Sequence, residues 1–430
     1  MKNPIVTPRK RRSAKHYAKL RHSSPMRRLA LTSHFHRKVA QLSQVSSYPV
    51  LAAFLPQNLW PWTWNYLKFV CTRKFPFPSY GHASDQGVYS ISPSTPDSPI
   101  KIAIAGDWGT GTDEAYVIAR HMSPEDRRLK PDFTIHLGDV YYVGDEAEIE
   151  ENCLGRSSGS YLGVTWPLGT QGSFSLNGNH EMYANGKAYF TKFLPVLGVR
   201  GSQRGQLTSY FSLETDSWRI LGIDTGYNSV GLPILSQIPG INEIPGVGGN
   251  CRLEDATIQW LREVVKPKEN IKATLLLSHH EYFSSFGEQA YTKPARQLHE
   301  FFPTQEVVWL WGHEHRMAIY DKYRLDGGIT AYGRCLGHGG MPIEVGHPPH
   351  RTKLPLQWYD LRSHNLPDGS LVGQNGFLNL TLDRSVLRLD YRDIENESLL
   401  VEEFTAKEGG RLQHHVVYIS KPGLTPWLSK

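Results

Sequence analysis

At 430 residues, with 39% hydrophobic, 20% charged and 11% aromatic side chains, the chain can bury a sizeable core and is neither fibrous nor wholly disordered. Its net charge of +6 conceals an asymmetry: fifteen Lys and Arg and no Asp or Glu precede Asp85, which leaves the rest of the chain at −9. Four widely spaced cysteines (Cys71, Cys153, Cys251, Cys335), with no CxxC, argue against a disulfide scaffold or a cysteine zinc site and fit a reducing compartment.

Residues 1–46, rich in Arg, Lys, His and Ser, read as a solvated arm without an apolar run long enough to span a bilayer. The following "YPVLAAFLPQNLWPWTWNYLKFV" is apolar and aromatic, but Pro49, Pro56 and Pro61 oppose a continuous helix, so no transmembrane helix is expected. Three roles stand open for this extension: a cap on the main domain, an arm for an anionic membrane surface or polyanion, and an organellar transit peptide. The absence of a well-formed secretory h-region and cleavage site disfavours export, so the expected location is cytoplasmic, with organellar targeting as the alternative. The texture changes near Ser98, and the expected division is an extension over 1–97 and a catalytic domain over 98–430.

From there short β-rich runs alternate with helical patterns. Ile100–Ala105 reads as a buried strand and Asp113–His121 as the helix after it. "PDFTIHLGD" and "GSFSLNGN" follow as strands that end in glycine and a polar residue. "YFSL", "WRILGID", "ATLLLSH", "VVWLWGH", "GFLNLTL", "VLRLDYR" and "HHVVYI" add further strands, with "EDATIQWLREVV" and "PARQLHEFF" as helices. Such a set predicts two packed mixed sheets flanked by helices.

Five of these strands run directly into metal-capable side chains. "IAGDWG" supplies Asp107, "HLGDVYY" supplies Asp139 and Tyr142, "LNGNHE" supplies Asn179 and His180, "LLLSHH" supplies His279, and "LWGHEH" supplies His313 and His315. Strand carboxyl ends share one crevice in open α/β sheets, so separate segments can converge there. A glycine directly before Asp107, Asp139, Asn179 and His313 is expected to let the backbone turn sharply. In a chain with 19 histidines any single one is more simply a core or surface group; the ordered set is far more specific.

The blocks "GDWG", "GDVYY", "GNHE", "LLSH" and "GHEH" resemble, in order, those of the calcineurin-like metallophosphoesterase superfamily, and within it the purple acid phosphatase pattern. The resemblance spans roughly Ile100 to Met317, and its loosest block has Leu276 where that pattern usually has Val. Gly109 stands where related enzymes of the superfamily carry a first-block histidine, and Tyr142 lies three residues after Asp139, as in the purple acid phosphatases. The resemblance implies a four-layer αββα sandwich. It also implies a first metal on Asp107, Asp139, Tyr142 and His315 and a second on Asn179, His279 and His313, with Asp139 bridging. His180 is then the residue that contacts the phosphoryl group or protonates the leaving oxygen, and Glu181 orients a neighbour.

Charge counting bears on the metals. Asp107, Asp139 and an ionised Tyr142 bring three negative charges, and a phenol with an ordinary pKa of about 10 needs a strong Lewis acid to stay ionised near neutrality. The expected pair is Fe(III) with Fe(II), Zn(II) or Mn(II). The reaction that follows is hydrolysis of a small phosphorylated substrate, preferably a phosphomonoester, by metal-activated water. Alternatives are a phosphodiesterase or nucleotide hydrolase on the same metals, or a binding module recruited to anionic surfaces by the basic arm. The long insert Tyr227–Cys251 is expected to wall the cleft, and the oligomeric state is left open.

Overall fold

The computed structural model describes residues 72–81, 86–95, 97–125, 129–141, 143–157, 163–231, 249–286, 290–348, 353–365, 371–420 and 423–427. The basic arm, the aromatic segment after it and the centre of the insert (232–248) lie outside the described residues. No helix of the described residues is long and apolar enough to cross a membrane.

Two sheets carry the domain. The first runs in the order β1 (Val88–Ser90), β6 (Phe211–Glu214), β7 (Trp218–Gly222), β8 (Ala273–Leu277), β9 (Glu306–Trp311), β11 (Thr330–Leu336), β10 (Met317–Tyr323), β12 (Leu356–Tyr359), β19 (Thr425–Pro426). The second runs β18 (Arg411–Ile419), β17 (Ser398–Lys407), β16 (Val386–Asp393), β15 (Gly376–Asp383), β2 (Ile100–Ala105), β3 (Phe133–His136), β4 (Gly172–Ser175), β5 (Gly198–Val199). A small antiparallel pair, β13 (Ser363–Asn365) and β14 (Leu371–Gly373), stands apart. Both large sheets are mixed: β7, β8, β9 and β11 pair in parallel, as do β2, β3 and β4 and the edge pair β1 and β6, while the remaining neighbours are antiparallel.

Side-chain alternation explains the layering. On β2, Ile102 and Ile104 enter the core between the sheets while Ala103 and Ala105 face helices on the other side. On β9, Val308 and Leu310 point inward and Val307, Trp309 and Trp311 outward. Because both faces of these strands are covered, they read as continuous apolar runs. Against the second sheet lie α1 (Asp113–His121) and α2 (Glu146–Asn152), with Ala115, Ile118 and Ile149 buried on that face. Thr112 caps α1 by accepting from the Ala115 amide at 3.2 Å. The short α3 (Asn179–Met182) opens the site. Against the first sheet lie α4 (Asp255–Trp260), continued by a π turn over Leu261–Val265, and α5 (Thr292–Leu298). Helix, sheet, sheet, helix is the expected sandwich.

The fold also uses residues ahead of Ser98. Strand β1 pairs in parallel with β6, Phe75 stacks on Phe190, and Tyr80 packs edge-on to Tyr210 while donating its hydroxyl to the Tyr210 carbonyl at 2.6 Å.

Candidate metal centre

The parallel strands of both sheets deliver the polar residues to one crevice. Asp107 follows β2, Asp139 follows β3, Asn179 and His180 open α3 after β4, His279 follows β8, and His313 and His315 follow β9. Asp107, Asp139 and His313 adopt left-handed backbone, with φ of 56°, 72° and 65°. Such conformations cost non-glycine residues about 1–3 kcal/mol each and persist where surrounding contacts hold them. Here the Asp107 amide donates to the Gly138 carbonyl at 3.1 Å, and the His313 amide donates to Asp107 Oδ2 at 2.8 Å.

The sequence reading assigned the sharp turns to the preceding glycines, but of the four only Gly138 has a positive φ, of 103°. A Cβ on Gly178 would lie 2.1 Å from Asp139 Oδ1, and one on Gly312 would lie 2.5 Å from Asp107 Oδ2. At these positions glycine supplies room for the carboxylates, because neither has a positive φ.

Asp139 sits at the middle of the cluster. Its Oδ2 is 3.2 Å from His279 Nε2, 3.2 Å from the Tyr141 hydroxyl and 3.8 Å from His180 Nε2, while its Oδ1 accepts from the His180 amide at 3.0 Å. On one side of it, the Tyr141 hydroxyl donates to Asp107 Oδ1 at 2.6 Å and lies 3.0 Å from His315 Nε2, which is itself 3.6 Å from Asp107 Oδ1. On the other side, His279 Nε2 is 3.1 Å from Asn179 Oδ1, and the His279 and His313 rings meet edge to face at 5.3 Å. His279 Nδ1 lies 3.0 Å from the Leu137 carbonyl, a contact that fixes the ring and leaves Nε2 facing the cluster.

Asp107, Asp139 and His279 are fully buried or nearly so, whereas the side chains of His180 and His315 are 21% and 18% exposed and mark the mouth of the crevice. Burial pushes the Asp107 carboxyl up to about 7 against the pull of His279. Burial acts upward on Asp139 too, but the charges of His279 and then His180 overcome it and hold this carboxyl well below the usual range. Burial disfavours an imidazolium at His279, yet Asp139 overrides it and raises this ring to about 10. Burial, aided by neighbouring histidines, keeps His280 and His313 neutral, with His313 lowered to about 3.

Among the described residues no Lys or Arg pairs with Asp107 or Asp139, so two buried carboxylates are balanced only by histidine. Such a site needs positive charge, and buried carboxylates beside imidazoles are the donor set of a transition-metal centre. Asp107, Asp139 and His279 bring ligand atoms within 4.8 Å of one another, and so do His279, His280 and His313. The residues present therefore fit a pair of metal ions.

Tyr142 lies outside the described residues. Sequence reasoning passed over Tyr141, whose hydroxyl stands among Asp107, Asp139 and His315; the only available signal was the doubled tyrosine in "GDVYY". His280 packs on His313 at 4.5 Å, but its Nδ1 and amide both contact Thr225 Oγ1, at 3.2 and 3.0 Å. Glu181 accepts from the Gly178 amide at 3.1 Å and so braces the turn that presents Asn179. The ring of His338 is buried next to Gly376, away from the cluster, while its loop closes on the site through the Met341 amide, which donates to the Asp107 carbonyl at 3.1 Å. Arg316 pairs with Glu344 at 2.7 Å and lies over Phe286. A cavity of about 1280 Å³ beside Arg120, Trp166 and Val199 contains none of the metal-capable residues.

A family model described as calcineurin-like phosphoesterase matches residues 100–317, the span that holds every residue of this cluster. No curated protein sequence matches the chain. Solved structures similar to it include GAP50, described as the anchor in the inner membrane complex of Plasmodium (14% identity, 73% of this chain and 91% of that one, TM-score 0.45). A conserved uncharacterised protein of Streptococcus pneumoniae, a predicted phosphoesterase, shares 12% identity over 74% and 98% of the two chains (TM-score 0.25). A single mutant of Vps29 from Entamoeba histolytica shares 9% over 74% and 98% (TM-score 0.22).

Proposed function

The chain belongs to the calcineurin-like phosphoesterase family and is a metal-dependent phosphoesterase; on that premise we propose that it is a purple-acid-phosphatase-like phosphomonoesterase. In this reading Asp107, Asp139, His315 and a tyrosine of "GDVYY" would hold the first metal, Asn179, His279 and His313 would hold the second, and Asp139 would be shared by both. When bound, the pair supplies Lewis acidity to phosphoryl oxygens and lowers the pKa of water, with Fe(III) at the first position and Fe(II), Zn(II) or Mn(II) at the second. The observation that carries the reading is the place of Asp139, with one carboxylate oxygen 3.2 Å from both His279 Nε2 and the Tyr141 hydroxyl, the two flanks of the cluster.

The protein's own groups have distinct tasks. Partly exposed at the mouth, His180 is the group that meets the phosphoryl oxygens and gives a proton to the departing alkoxide, with its ring braced by Tyr141 at 4.3 Å and Tyr183 at 5.1 Å. Leu137 and Asp139 fix the orientation of His279, and Glu181 fixes the turn before Asn179.

The test is metal content together with turnover of p-nitrophenyl phosphate and bis(p-nitrophenyl) phosphate. About two metals per chain and faster monoester turnover are expected. A clear preference for the diester overturns the monoesterase assignment, and two bound metals with no turnover of either overturns the enzyme at this site. The charge of residues 1–46 supports a separate role for them in binding anionic surfaces. Deleting them should leave turnover unchanged and remove salt-sensitive binding to anionic vesicles.

A further inference from the structure

The geometry points to Tyr141, not Tyr142, as the tyrosine that completes the first metal's ligand set. This inference rests on the dinuclear reading above and departs from the spacing that reading borrows, since it moves the phenol from three residues after Asp139 to two.

The Tyr141 hydroxyl occupies the space enclosed by the groups assigned to that metal. It stands 2.6 Å from Asp107 Oδ1, 3.2 Å from Asp139 Oδ2 and 3.0 Å from His315 Nε2. An oxygen at hydrogen-bond distance from two carboxylates and an imidazole is where a cation shared by those groups can be reached by a small shift of the ring. Its side chain is 1% exposed, so it is committed to this interior.

The backbone leaves Tyr141 little freedom to be elsewhere. Val140 forms an isolated bridge with Gly109, and the Tyr141 amide donates to the Gly109 carbonyl at 2.9 Å. From the far side, buried Asn152 donates one side-chain amide to the carbonyls of both Tyr141, at 3.0 Å, and Gly109, at 3.1 Å. The first block thus fixes the direction of the second through Gly109, the position at which this chain lacks the first-block histidine. The ring is walled by His180 at 4.3 Å and Met341. With a metal bound there, the phenol would give its proton to solvent and its oxygen would serve as a phenolate ligand, with no electron transferred.

The test loads wild-type, Tyr141→Phe and Tyr142→Phe proteins with ferric ion and zinc, and reads metal content, circular dichroism and the phenolate-to-iron(III) absorption band. The expected result is a band in the wild type, its loss in Tyr141→Phe with the fold retained, and its persistence in Tyr142→Phe. A band that survives in Tyr141→Phe overturns the inference. So does a band absent from Tyr142→Phe, since that change removes no group used here, and so does a wild type that binds iron without a band. Failure of the wild type to bind two metals sinks the dinuclear reading itself, a result told apart by metal content alone.

Discussion

Arg334 on β11 and Glu402 on β17 join the two sheets through a paired bond across the core, Nε to Oε1 at 2.6 Å and Nη2 to Oε2 at 2.7 Å, with both side chains at 0% exposure. Glu402 also accepts from the Tyr391 hydroxyl at 2.6 Å and is 2.7 Å from His414 Nε2. Removing one partner strands the other charge in the interior, a loss of about 3–5 kcal/mol. Arg334→Ala should therefore shift the urea midpoint strongly while leaving turnover per folded molecule intact. A midpoint within error of wild type would show the pair to be dispensable.

The same carboxylate makes an acid-stability prediction. Burial works against ionisation of Glu402, but Arg334 and then His414 override it and hold the group at about 2, below its usual 4.5. A depressed folded pKa gives stability that is fully present above the unfolded value and lost as pH falls toward the folded one. Glu402 should contribute on the order of 3 kcal/mol above pH 5, declining between about pH 4.5 and 2. Glu402→Gln should flatten that part of a stability profile, and an unchanged slope would refute it.

His180→Ala tests the proton donor. General acids contribute about 10²–10⁴-fold, most when the leaving group is a poor one. The drop in kcat should be near the top of that range for an alkyl phosphate and much smaller for p-nitrophenyl phosphate. Equal losses on both substrates would reassign His180 to binding.

Gly178→Ala tests the clearance around Asp139. The added methyl would meet Asp139 Oδ1 at 2.1 Å and its amide at 2.7 Å, so bound metal and activity should fall together. Gly346→Ala, where nothing lies within 4 Å, is the control and should change neither. Metal content by elemental analysis decides the matter.

Asn152→Ala removes the side-chain amide shared by the Tyr141 and Gly109 carbonyls, two buried hydrogen bonds. The expected cost is about 1–3 kcal/mol, read by denaturation. If Tyr141 holds iron, the charge-transfer band should also shift in this variant although Asn152 does not reach the cluster.

Much of the fold was legible because strands covered on both faces carry continuous apolar runs, as in "IAIA" of β2 and "LLL" of β8. Strands β11 and β17 escaped sequence reading because each carries a charged residue within its buried run. Arg334 and Glu402 sit in the middle of β11 and β17 and look like solvent-facing charges until the opposite sheet pairs them. Strand β1 lies in a stretch the sequence assigned to the extension, since three residues, none fully buried, give almost no local signal before β6 pairs with them.

What the sequence determined by itself was the order of the five glycine-polar blocks at strand ends, because strand length and a small residue before a polar one are local properties. Which groups face one another was decided by tertiary structure. His279 rather than His280 meets Asp139 and Asn179 because the Leu137 carbonyl and Thr225 pull the two rings apart. The hydroxyl of Tyr141 stands between Asp107 and Asp139 because Gly109 and Asn152, remote in sequence, hold its backbone from both sides. Two adjacent identical residues carry no local difference, and only those long-range hydrogen bonds give one of them its direction.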